Sequence, residues 1–260
     1  MLANAIRKFG QARQILTHAS PALPLIKDSV RLQFSDYEAT FDQMNLTFQM
    51  NHRQGDWFTF YECCIRQDYF PDGIDLMPGD TVLDLGGNFG AFSVMAAQIV
   101  GAEGAVHCFE PAPQSQQRIR ENARRNGIDN IHLHPVAVGG ESGTIRFHTH
   151  TKSALSSIYD ELDGRDMSAV STIEVEIRSI NDVMRDLPKV IHLAKIDCEG
   201  AEHDIFQEIT DENLARIRAI VMELHNVPGK VNERLFDRLA EAGFAFEVAN
   251  PVIAVNRSAI

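Results

Sequence analysis

The run Val82-Leu83-Asp84-Leu85-Gly86-Gly87-Asn88-Phe89-Gly90 constrains this chain more than any other stretch. An apolar segment breaks there into a glycine-rich turn and resumes as the helix-like Ala91-Phe92-Ser93-Val94-Met95-Ala96-Ala97. A short apolar run bounded by such a turn predicts a buried parallel strand over 81–85. Glycine lets the backbone turn tightly and approach a ligand where side chains would collide. The helix that follows would point its unbonded N–H groups at the same place. A dinucleotide fingerprint needs Gly-x-Gly-x-x-Gly, and Gly86, Gly87 and Gly90 do not supply that spacing. What stands here is Asp-x-Gly-x-x-x-Gly, with the acid Asp84 at the strand end.

A second apolar run, Ala105-Val106-His107-Cys108-Phe109, ends in Glu110-Pro111. This is about the 20-residue spacing at which Rossmann-like sheets place a ribose-binding acid. An isolated Glu at a strand end is ordinarily just solvated; behind this glycine turn it becomes a ligand candidate, able to accept bonds from both ribose hydroxyls. Further strands are expected near 131–134, 191–196, 218–224 and 244–249, with helices between most of them, and Val252-Ile253-Ala254-Val255 as a final edge strand. The pattern is α/β, a Rossmann-like doubly wound sheet. Ligands of such sheets bind outside the carboxyl ends of the strands, so strand-end residues converge even when remote in sequence.

The glycine turn is similar to motif I of the class I S-adenosylmethionine (SAM) methyltransferases. The segment Leu193-Ala194-Lys195-Ile196-Asp197-Cys198-Glu199-Gly200-Ala201-Glu202 resembles the Lys-Ile-Asp-x-Glu-Gly-x-Glu signature of FkbM-type methyltransferases. Gln67-Asp68-Tyr69-Phe70, Pro78-Gly79-Asp80-Thr81 and the pair Asn122 and Asn126 match that family as well, and the resemblance runs from about residue 57 to 246. It implies a mostly parallel sheet with an antiparallel final strand. It also implies SAM as cofactor, with Asp84, Gly86, Gly87, Asn88 and Gly90 toward its methionyl portion, Glu110 and Pro111 toward the ribose, and His134, Val136 and Ala137 toward the adenine. Asp84 would orient the loop or a cofactor-bound water. The implied reaction is O-methyl transfer to a hydroxyl of a small molecule, a sugar, or a glycolipid or polyketide. The failed dinucleotide spacing disfavours the rival reading, an NAD(P)-dependent oxidoreductase; a non-catalytic SAM-binding scaffold or sensor is the other alternative.

Asp197, Glu199, Glu223 and His225 end the fourth and fifth strands and stand nearest the expected acceptor. A neutral imidazole near pH 7 can take the hydroxyl proton, so His225 is the first candidate for general base and Asp197 the second, or the group that orients it. Glu199 and Glu202 could instead hold the turn at the start of the next helix. These groups carry enough oxygen and nitrogen for Mg²⁺, yet their spacing is no diagnostic metal motif and no required metal is expected. His107, His132 and His134 read as packed or exposed side chains rather than zinc ligands.

The 260 residues, 44% hydrophobic, suffice for one large α/β domain with modest additions. A net charge of −12 argues against a nucleic-acid surface. Arg118, Arg120, Arg124 and Arg125, the densest basic group, read as the solvated face of a helix. Adjacent Cys63 and Cys64 and the strand-end Cys108 and Cys198 form no Cys-x-x-Cys pair, which points to reduced thiols and a cytoplasmic location. No segment has the length of a membrane span. Residues 1–20 suit an amphipathic helix that packs on its own domain or touches a membrane surface. Residues 1–75 are expected to form an N-terminal helical and strand cap, and 76–260 the SAM-binding domain. An inserted hairpin is expected over about 140–180, where Lys152-Ser153-Ala154-Leu155-Ser156-Ser157 is a lid candidate.

Overall fold

A computed structural model describes residues 2–52, 54–149, 156–159, 161–163, 165–166 and 171–256. In chain order its strands are β1 Ala19–Ser20, β2 Tyr37–Phe41, β3 Leu46–Met50, β4 Thr81–Leu85, β5 Ala105–Phe109, β6 Ile131–His134, β7 Ala137–Gly139, β8 Gly143–Thr149, β9 Glu161–Leu162, β10 Arg165–Asp166, β11 Ser171–Ser179, β12 Leu193–Ile196, β13 Ala219–Met222, β14 Phe244–Glu247 and β15 Val252–Asn256. The helices are α1 Leu2–His18, α2 Ala22–Ser29, α3 Asp56–Phe60 with a π-helical continuation over Tyr61–Arg66, α4 Ala91–Val100, α5 Pro113–Arg125, α6 Ile180–Asp186, α7 Glu202–Glu208, α8 Asp211–Leu214 and α9 Asn232–Glu241.

The central sheet runs β14-β15-β13-β12-β4-β5-β6. Neighbours from β13 to β6 pair in parallel, and β15 is antiparallel to both β13 and β14. The antiparallel final strand is as expected, but its place is not: β15 lies inside the sheet and β14 forms the edge. Val252 and Ala254 are buried, whereas Glu247 at the end of β14 is exposed, so the more apolar strand takes the position flanked on both sides.

Period-2 alternation divides the core. Val82, Val106, Leu193 and Val221 face α4 and the cap, while Leu83, Leu85, Ile196, Ile220 and Met222 face α6, α7 and α9. Asp84 and Lys195 share the face of Val82 and Leu193, so two charged side chains lie beneath the cap. The insertion forms a second sheet, β7-β11-β8, in which β11 pairs antiparallel with β8 over Ser171–Ile177. Residues 152–155 of the lid candidate lie outside the described residues.

The cap comprises α1 to α3 and the antiparallel sheet β1-β2-β3. Its edge strand β3 would expose unpaired backbone groups, and two side-chain amides of α5 and its C-cap satisfy them. Asn126 accepts the Thr47 N–H at 2.7 Å and donates to the Thr47 carbonyl at 2.8 Å. Asn122 accepts the Gln49 N–H at 2.9 Å and donates to the carbonyl of Phe89, in the glycine turn, at 2.8 Å. The arginines of α5 do not form a solvated face throughout. Arg118 pairs with buried Asp56 and lies 4.9 Å over the Phe89 ring, and Arg125 pairs with Glu38. The helix therefore uses both amides and guanidinium groups to hold the cap against the turn.

Asn122→Ala would leave a buried donor and a buried acceptor without partners, each costing about 1–3 kcal/mol. The expected destabilisation is about 2–4 kcal/mol, read as a lowered urea midpoint at unchanged m-value.

Candidate active site

At the end of β4 the chain turns on Gly86, whose φ is 89°. A Cβ there would fall 1.8 Å from the Asp197 carbonyl oxygen, and one on Gly87 2.3 Å from Cys108 Sγ. The two glycines thus let the turn pack between β12 and β5. The turn's own amides are bonded within the protein: Gly86 and Gly87 N–H donate to the Phe109 carbonyl, and Asn88 N–H donates to Glu110 Oε2 at 2.8 Å. Ala112 N–H donates to Glu110 Oε1, also at 2.8 Å. Glu110 is consequently fixed in orientation, with each oxygen retaining acceptor capacity toward the cleft. Burial raises its carboxyl to about 7, against the pull of these two amide bonds.

Leu85, Gly86, Asn88, Glu110, Pro111 and Ala137 line a cleft of about 610 Å³, closed on one side by Phe147, Ser156 and Ile158 of the insertion. His134 and Val136 do not line it. The His134 ring stacks on Phe109 with centroids 4.3 Å apart and lies beside His107, whereas Val136 packs into the core with Leu83 and Leu85. Gly90 supports the turn from behind, with α5's Ile119 at 3.3 Å from the position of an added Cβ. Asp84 sits deeper still, fully buried, accepting from Ser93 Oγ at 2.5 Å.

Lys195 joins this turn to β12. Its Nζ donates to the Gly86 carbonyl at 2.6 Å and lies 3.4 Å from Asp84 Oδ1 and 3.3 Å from Asp197 Oδ2. Burial alone would lower the ammonium's pKa, but Asp197 and Asp84 outweigh it and hold the group charged. Lys195 belongs to the quoted signature, though no role attached to it there. The available signal was a lysine inside an otherwise apolar buried strand, which must find counter-charges.

A second cavity, of about 1120 Å³, opens beyond Asp197 and shares Gly86, Asn88, Asp197 and Glu199 with the cleft. Glu62, Tyr69, Glu223 and His225 also line it. Five carboxylates, Glu62, Asp163, Asp197, Glu199 and Glu223, thus line it with two basic side chains, Lys195 and His225. Glu223 accepts from the Tyr69 hydroxyl, and the nearby charge of Asp197, with burial, raises Glu223 to about 7. Burial followed by the charge of Glu223 pushes Glu62 up to about 8. Burial also raises Glu199 well above the carboxylate range. Glu199 adopts φ 53°, a left-handed conformation that costs a residue with a Cβ on the order of 1 kcal/mol.

His225 has a different character from the neutral base expected of it. Its Nδ1 lies 3.2 Å from Glu202 Oε1 and its Nε2 3.5 Å from Glu199 Oε2. Burial works to lower its pKa, yet Glu202 and Glu199 overcome that and raise it to about 10. With a carboxylate at each ring nitrogen, the site favours the protonated ring over the neutral one. Glu202 itself is fully buried and accepts the N–H groups of Cys198 and Gly200, holding the turn as anticipated and adding His225 to its bonds. Asp197, Glu223 and His225 bring one carboxylate oxygen or ring nitrogen each within 4.8 Å of one another, a group that could hold a cation only with the imidazole neutral. Tyr69 already engages Glu223, and Glu199 and Glu202 flank His225. Sequence reasoning attached no role to Glu62, which nothing local marks, and named Tyr69 only within the family-matching run Gln67-Asp68-Tyr69-Phe70.

The methyltransferase FkbM domain family matches residues 84–246, from Asp84 in β4 through Asp197, Glu223 and His225 to Phe246 in β14. The chain belongs to this family. It is a SAM-dependent methyltransferase. The 31-O-demethyl-FK506 methyltransferase FkbM of Streptomyces tacrolimicus is 28% identical over 202 residues, 68% of this chain and 77% of that protein. Methyltransferase 1 of Beauveria bassiana is 24% identical over 208 residues, 74% of this chain and 80% of that one. Among solved structures, Aeropyrum pernix fibrillarin with natively bound SAM aligns at TM-score 0.41 and 13% identity, over 72% of this chain and 70% of that chain; nothing further rests on so loose a likeness. Within the FkbM-family site, buried Asp84 and Lys195 and partly exposed Asp197 form one charge chain.

Removing one member of a buried charge pair costs about 3–5 kcal/mol, because the other is left uncompensated. Lys195→Met is expected to destabilise the protein by that amount in urea titration. Adding Asp84→Asn to Lys195→Met should recover part of the loss.

Proposed function

We propose that the chain is a cytoplasmic SAM-dependent O-methyltransferase acting on a hydroxyl of a small molecule, a sugar, or a glycolipid or polyketide. The observation that carries this reading is the meeting of the two cavities at Gly86, Asn88, Asp197 and Glu199. One is mostly apolar with a fixed acid, Glu110, and the other is rich in carboxylates. The first is assigned to a nucleoside-bearing cofactor by its lining: Glu110 would hold the ribose, and Gly86, Asn88 and Asp197 would flank the methionyl end. Bound there, SAM supplies an electrophilic methyl on a sulfonium sulfur. The name of the Streptomyces relative, a 31-O-demethyl-FK506 methyltransferase, supports oxygen as the acceptor atom.

The chain's own contribution is positioning and proton removal. Aligning the attacking oxygen with the methyl supplies much of the acceleration in such displacements. Lys195 bonds the Gly86 carbonyl and pairs with Asp197, so the cofactor turn and the acceptor cavity keep a fixed register. Glu223 takes the place of His225 as general base. A carboxylate with a pKa near 7 is ionised in substantial fraction at neutral pH and is basic enough to assist an alcohol. The Tyr69 hydroxyl orients it. Imidazolium His225 and Glu199 shape the charge of the cavity around it. No step of this scheme requires a metal, and activity is expected to survive a chelator.

Two measurements test the reading. Calorimetric titration with S-adenosylhomocysteine should give micromolar binding that Glu110→Ala weakens at least tenfold, while NAD⁺ and NADP⁺ do not bind; nicotinamide binding would overturn it. With an acceptor in hand, kcat/KM should rise with pH through about 7, because Glu223 acts only when ionised. Glu223→Gln should lower kcat by about 10²–10⁴ and abolish that limb of the profile, with S-adenosylhomocysteine affinity within twofold of the parent. A retained limb would remove Glu223 from the role.

A further inference from the structure

Charge and apolar exposure are both concentrated at the N-terminal end of this chain. Residues 1–34 contain Arg7, Lys8, Arg13, Lys27 and Arg31 against a single acid, Asp28, for a net charge of +4 within a chain of −12. Asp28 is buried, accepts from the Tyr37 hydroxyl at 2.9 Å and lines the same cavity as Arg7, Lys8 and Arg31, away from the exposed Arg13. Six of the eleven exposed large hydrophobic residues among the described residues fall in the same segment. They include Phe9 (77% exposed), Leu16 (65%) and Phe34 (81%).

Helical geometry sorts these side chains. Ile15 is buried, and Gln14 accepts from the Tyr61 hydroxyl, so this side of α1 docks on the cap. Phe9, Arg13 and Leu16 stand at i, i+4 and i+7, on a single stripe of the helix that faces solvent. In α2, Leu25 is buried while Leu23 is exposed. Arg7 lies on the opposite side of α1 from that stripe and, with Lys8 and with Arg31 after α2, lines a cavity of about 1760 Å³ that also includes Asp28 and His52. That cavity shares Phe58 and Thr59 with the cavity assigned to the acceptor.

We propose that α1 and the residues through Phe34 form a membrane-docking surface that lies on an anionic phospholipid bilayer. Exposed Phe and Leu beside Lys and Arg are what an interfacial helix needs, with the rings entering the headgroup boundary and the cations meeting lipid phosphates. No described helix is long and apolar enough to cross a membrane, so the contact is peripheral. The charge separation fixes the orientation: the basic segment faces the anionic surface, and the remaining chain, at net −16, is repelled from it. The surface does not depend on which methyl acceptor the enzyme uses.

Flotation of the full chain with vesicles tests this, using phosphatidylglycerol and phosphatidylcholine in equal parts against phosphatidylcholine alone. At low salt the bound fraction should be at least tenfold higher on the anionic vesicles and should fall severalfold in 0.5 M NaCl. Phe9→Ser/Leu16→Ser and Lys8→Glu/Arg13→Glu should each reduce binding at least fivefold, with melting temperature and S-adenosylhomocysteine affinity unchanged because these side chains are exposed. Absence of anionic-vesicle binding, or binding that both double variants retain, would overturn the proposal. A wild-type dimer that Phe9→Ser/Leu16→Ser dissociates, without vesicle binding by either, would assign the face to a second copy and overturn it equally.

Discussion

The buried ammonium of Lys195 is the interaction on which the site depends. It bonds the backbone of the glycine turn and balances two carboxylates, Asp84 behind the turn and Asp197 in front of it. A lysine this deep is tolerated only because its counter-charges are equally fixed. Neutralising Lys195 would release the turn that presents Asn88 and Glu110, and would leave Asp197 as an unpaired charge between the two cavities. Fold stability and site geometry are therefore coupled through one side chain.

The cap completes this arrangement from the opposite side. Asn122 and Asn126 supply the pairing that the edge of β3 lacks, and Asn122 also grips the Phe89 carbonyl within the glycine turn. The cap then brings Glu62 and Tyr69 to the second cavity from the helical segment after Phe60 and its following loop. With those groups present, the carboxylates raise one another's pKa. The same cluster of carboxylates raises the proton affinity of Glu223 and of His225 together.

Much of the fold was legible along the chain because its signals are local. The strand positions follow from short apolar runs, the turn from Gly86 and Gly90, and the hairpin of the insertion from alternation in 144–148 and 172–178. The convergence of Asp197, Glu199, Glu223 and His225 followed from the rule that strand ends gather at one edge of a parallel sheet. Where local reading erred, long-range packing had intervened: β15 entered the sheet interior, Arg118 turned into the cap, and His134 and Val136 went to a ring stack and the core instead of the cleft.

The sequence by itself determined the FkbM methyltransferase family, the doubly wound sheet and the set of strand-end residues, since periodicity, glycine spacing and a contiguous signature are all properties of neighbouring residues. Tertiary structure alone decided what those residues are to one another. Tyr69 meets Glu223 across 154 positions, and Lys195 reaches Gly86 across 109. Protonation is decided at the same level: a side chain's affinity for a proton depends on the charges and solvent around it, and folding sets both.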